Sequence, residues 1–162
     1  DWTFSLTNLF GARRLRVGNV PRGWYVKSVR YQAKEIIDDA VAFEDAREPR
    51  DVEITLSSRG AVLAGRVLDA VGRPVRGARV VAVRAEEPRP DDTFQVSASP
   101  NGTYRLGPLR DGEYLLFAKP AGAAILQSGD WDRLKLLLKA AVRISLGPLE
   151  ERAVDLSVIE DR

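Results

Sequence analysis

Apolar and polar residues alternate through most of this chain in short runs that end at Gly, Pro or Asn. Phe4 with Leu6, Leu15 with Val17, Val52 with Ile54 and Leu56, Leu63 with Gly65 and Val67, and Val81 with Val83 repeat at period two. So do Phe94 with Val96, Tyr104 with Leu106, Tyr114 with Leu116, and Val154 with Leu156 and Val158. That period belongs to half-buried strands, so an all-β fold of about nine strands is expected. Reversals fall at Pro21-Arg22-Gly23, Val71-Gly72-Arg73-Pro74, Val75-Arg76-Gly77, Pro100-Asn101-Gly102 and Asp111-Gly112, all residue types that favour turns. Turns spaced by roughly 8 to 12 residues are those of a β-sandwich. Between Trp24 and Tyr31 the apolar face switches from Trp24 and Val26 to Val29 and Tyr31, which predicts a bulge at Lys27 and Ser28.

One segment departs from the pattern. Ser128-Gly129-Asp130-Trp131-Asp132 offers cap candidates and an acidic first turn, and Trp131, Leu134, Leu137 and Leu138 follow at helical spacing. A short amphipathic helix is expected near 129–140, with its apolar stripe packed on a sheet. Partner binding is the alternative use of that stripe.

The chain also repeats itself. Residues 1–9 lie over 101–109, and Asp51-Val52-Glu53-Ile54-Thr55-Leu56 lies over Ala153-Val154-Asp155-Leu156-Ser157-Val158, both at an offset of about 100 residues, a whole-domain period. The expected organisation is a partial β-sandwich over 1–58, lacking its first strands, and a complete one over 59–162. A chain beginning at Asp1 inside a repeat, with neither Met nor a signal-peptide pattern, is expected to be a processed product or a piece of something longer.

Composition removes several classes of function. The apolar fraction of 44% supports a packed core. The 25 basic and 23 acidic residues are interspersed, as at Arg84, Glu86, Glu87 and Arg89. Nucleic-acid binding requires a concentrated basic face, so no nucleic-acid partner is expected. No apolar stretch reaches the roughly 18 residues of a membrane span, and Lys119-Pro120 interrupts the richest one. With no His and no Cys, the common zinc sites, Cys nucleophiles and Ser-His-Asp triads cannot be built from this chain. The absence of Cys leaves disulfides silent about compartment. No catalytic residue, cofactor or metal site is assigned.

Gly65-Arg66-Val67 followed by Gly72-Arg73-Pro74-Val75-Arg76-Gly77-Ala78-Arg79-Val80 resembles the opening of the carboxypeptidase regulatory-like domain family. Asn101-Gly102-Thr103-Tyr104-Arg105-Leu106, Leu109, Asp111-Gly112 and Tyr114-Leu115-Leu116 resemble its second signature. The resemblance covers residues 61–118. It implies a prealbumin-like (transthyretin-like, Ig-like) antiparallel β-sandwich, with tight turns at Gly77 and Gly112 and inward rings at Tyr104 and Tyr114. Residues 1–58 join it only through the repeat, with Val20-Pro21-Arg22-Gly23-Trp24-Tyr25 as a variant of the same corner. Such a family implies a non-catalytic module of a secreted, periplasmic or cell-surface bacterial protein. Some related sandwiches carry a Lys–Asn isopeptide crosslink; Arg66 in the first strand and the lack of Asn over 151–159 predict none here.

Three constellations invite a functional reading. Asp38-Asp39 with Glu44-Asp45, and Glu86-Glu87 with Asp91-Asp92, collect oxygens of the kind calcium takes, without the ligand order of a known loop. Trp24 and Tyr25, with Trp2 and Trp131, offer flat amphipathic rings for sugar stacking, against the alternative that each fills a gap in a core. Finally, the unfinished first copy leaves Phe4, Leu6, Leu15 and Val17 as a candidate assembly face. Either a neighbouring copy completes it by strand addition or an upstream part of the same polypeptide covers it. The expected function is a structural or interaction module that assembles into oligomers or filaments, with carbohydrate binding as the alternative.

Overall fold

The structure, a computed structural model, describes residues 3–7, 9–43, 52–90, 92–124, 126–127 and 129–159. The fold is all-β with one short helix and mostly antiparallel sheets, as the alternation predicts. Its residues gather into two units, Asp1–Ser58 and Arg59–Arg162.

In the first unit, β1 (Gly11–Arg13) pairs antiparallel with β4 (Val41–Phe43). A second sheet has the order β3 (Lys34–Glu35), β2 (Tyr25–Tyr31), β5 (Val52–Ser57). Gln32 and Ala33 join β2 to β3 with positive φ values of 49° and 64°, the sign pattern of a tight hairpin turn. The register of β2 against β5 slips between Val26 and Ser28. This is the bulge expected at Lys27 and Ser28, and it lets Val29 turn inward beside Ile54. Among the described residues the buried apolar side chains here are Val29, Ile36 and Phe43, with the Tyr31 ring 5.1 Å from that of Phe43.

The second unit is a two-sheet sandwich. One sheet has the order β11 (Val142–Leu146), β10 (Gly112–Lys119), β7 (Arg79–Arg84), β8 (Thr93–Ser97). The other centres on β6 (Ala61–Leu68), with antiparallel β9 (Thr103–Leu109) on one side and β12 (Glu151–Ala153) and β13 (Leu156–Ser157) on the other. The last two strands run parallel to β6 at one continuous register, so this sheet is not purely antiparallel. The first unit differs, since β5, whose sequence matches 153–158, pairs antiparallel with β2.

Inward residues of both sheets form the main core, including Leu63, Val67, Val80, Ala82, Leu106, Tyr114, Leu116 and Leu156. Each fully buried Leu or Val is worth about 1.5–3 kcal/mol relative to exposure. The strands β7 and β10 are apolar on both faces because the outer face is covered too. Helix α1 (Trp131–Leu138) sets Leu134 and Leu137 against Val81, Val83 and Phe117. The stripe expected near 129–140 therefore packs on a sheet.

Two tyrosines tie loops to this core. Tyr114 is fully buried, and its hydroxyl donates to the Arg110 carbonyl at 3.0 Å. The Arg84 guanidinium lies 5.3 Å from its ring centre and donates to the Asp111 carbonyl at 2.9 Å. Gly112, at φ 127°, leaves the space that Arg84 occupies, since a Cβ there would come within 2.5 Å of the guanidinium. Tyr104 is also inward and donates its hydroxyl to the Val154 carbonyl at 2.7 Å.

Candidate interaction surface

The residues expected to form an assembly face do not form strands. Phe4 is 50% exposed in irregular chain, and Leu6, Leu15 and Val17 are half-buried outside any strand. Two apolar residues at period two are too short a signal without a partner ladder. The local pairing instead goes to Gly11–Arg13, where no alternation announces it. Phe10, which sequence reasoning passed over, is 58% exposed.

The aromatic pair differs in exposure. Trp24 precedes β2 and is 48% exposed, while Tyr25 opens β2 opposite Ser57 and is half-buried. Trp131 belongs to the other unit, and Trp2 lies outside the described residues.

Charged groups serve local structure. The Asp69 carboxylate accepts from the backbone N–H of Arg73 and of Val71, both at 2.9 Å, and from the Arg73 side chain. The Arg73 backbone bond leads the interactions that hold its pKa below the usual carboxylate range. Glu151 is lowered by its hydrogen bond from Arg105, with which it forms an exposed ion pair across β6. Burial, and then the charge of Asp155, pushes the Tyr104 hydroxyl well above its usual value. Among the described residues no three His, Cys, Asp or Glu gather as a metal site; Glu44, Asp45 and Asp91 fall outside them.

A feature that the sequence did not single out is the border of the β3–β2–β5 sheet. Among the described residues β5 has a neighbour only on its β2 side. Its inward residues Ile54 and Leu56 are half-buried and lie opposite Val29 and Val26.

No family model matches the chain, and no curated protein does. Solved structures are similar to the chain at low identity. The TIE protein of Bacillus anthracis is 16% identical at a TM-score of 0.41, over 75% of this chain and 21% of that one. The 5-hydroxyisourate hydrolase of Klebsiella pneumoniae is 16% identical at 0.38, over 63% and 91%. BcpA, the major pilin subunit of Bacillus cereus, is 15% identical at 0.42, over 70% and 35%. This chain thus spans about a fifth of the TIE protein and about a third of BcpA.

Proposed function

We propose that this chain is a non-catalytic structural and interaction module of a bacterial cell-envelope or extracellular protein, assembling by β-strand complementation. The observation that carries this reading is β5, a six-residue strand at the border of its sheet. A strand at the border of a sheet is a template for another strand. The exposed Phe4, Phe10 and Trp24 of the same unit add apolar surface suited to protein contact. The resemblance of residues 61–118 to carboxypeptidase regulatory-like domains supports both the module reading and a location outside the cytoplasm. No helix among the described residues is long and apolar enough to cross a membrane.

Light scattering on the full chain across a concentration series tests the assembly. Mass that rises with concentration is expected, and a folded monomer at high concentration would sink it. Carbohydrate binding is the second reading, favoured by the exposed Trp24 and Trp131 rings. Tryptophan fluorescence titrated with oligosaccharides separates it from the module reading, because an assembly module gives no saturable response.

A further inference from the structure

We propose that β5 is the edge through which two copies of this chain pair as an antiparallel, two-fold symmetric dimer, with Ile54 of one copy opposite Ile54 of the other. This rests on the assembly reading and narrows it, from an unspecified strand to a second copy and from an open filament to a closed pair.

Three observations point to this edge and this partner. First, Val52–Ser57 holds neither Pro nor Lys, and Val52, Ile54 and Thr55 are β-branched, which favours an extended strand. Second, most other edges are obstructed. Pro108 in β9 offers no donor, the Arg152 guanidinium donates to the Ser145 carbonyl of β11, the last strand breaks between Ala153 and Leu156, and β1 and β3 are only 3 and 2 residues long.

Third, the strand is complementary to itself. Pairing centred on Ile54 places Val52 opposite Leu56 and Glu53 opposite Thr55, each twice by symmetry. The apolar face that Ile54 shares with Val29 then continues into the second copy, and no two carboxylates oppose each other. Centring on Glu53 would set two carboxylates face to face. A centre between Ile54 and Thr55 would set apolar residues against polar ones. A single strand pair supplies only part of a standard interface of about 1,600 Å², so the dimer is weak and concentration-dependent.

The chain has no Cys, so one introduced thiol reports contact between copies without interference. Mild oxidation of full-chain Ile54→Cys is expected to give a disulfide-linked dimer. Val52→Cys should stay unlinked, because its counterpart lies about four residues along the partner strand, roughly 13 Å away. Since Ile54→Cys trims an inward side chain, a second pair of variants reads the register independently. Thr55→Glu sets carboxylates against Glu53 and should weaken dimerisation about tenfold in sedimentation, while Thr55→Lys should strengthen it, both effects fading in high salt. Crosslinking at 52 but not 54, or the same response to both Thr55 variants, overturns the proposal. Larger assemblies indifferent to position 54 overturn it and leave the assembly reading standing. A folded monomer at every concentration overturns both.

Discussion

The carbonyl of Val154 shows how much a few atoms decide. Gly65 runs so close to it that an added Cβ would sit 1.9 Å from the oxygen. The Tyr104 hydroxyl donates to the same oxygen, and the neighbouring Asp155 carboxylate accepts from the Arg66 backbone N–H at 2.8 Å. Gly65→Ala is therefore expected to cost about 2 kcal/mol or more, and Tyr104→Phe about 1 kcal/mol, in urea denaturation. The raised pKa of Tyr104 adds a pH signature. Its contribution is whole below the unfolded value of about 10 and is lost as pH rises toward the higher folded value. Unfolding scans above pH 10 should therefore show less alkaline loss for Tyr104→Phe than for the parent chain. Asp69 has the opposite sign, since its lowered pKa contributes above the unfolded value of about 4 and is lost in acid. Asp69→Ala should flatten the acid limb of the stability curve.

At the scale of elements, α1 earns its place by roofing the outer face of β7 and β10. Leu137→Ala should cost about 2–4 kcal/mol by opening a cavity against Val81 and Phe117, measurable in the denaturation of the second unit. The period-two signal made 61–68, 79–84, 93–97, 103–109 and 112–119 legible, because their inward residues are large and frequent. The helix was legible from Leu134 and Leu137, and the bulge at Lys27 from one change of face. Strand β11 was not picked out although Val142, Ile144 and Leu146 alternate, since they follow directly on the helical stripe. The parallel pairing of β6 with β12 was not legible, because no local pattern encodes a partner so distant in sequence. The edge status of β5 escaped for the same reason. Apolar alternation marks a strand, while only the pairing of its neighbours makes it an edge.

For the whole molecule, the two units have unequal cores. The described part of the first buries Val29, Ile36 and Phe43, whereas the second has a sandwich core and a second cluster beneath its helix. Native-state hydrogen exchange should therefore open the amides of β2 and β5 at lower free energy than those of β7 and β10. Equal protection in both units would contradict this ranking. The second unit also joins its beginning to its end. Arg66 is held by Asp155, 89 residues away, and the Val158 and Ile159 N–H groups donate to Leu68 in one sheet and Ala118 in the other. Such long separations make folding slow. They also impose an order on biosynthesis: while the chain is emerging from the ribosome, β6 has no partner on its β12 side until about 90 further residues have been made. The sandwich can close only after that, which leaves the stretch from β6 to β12 open and threadable while it is being made.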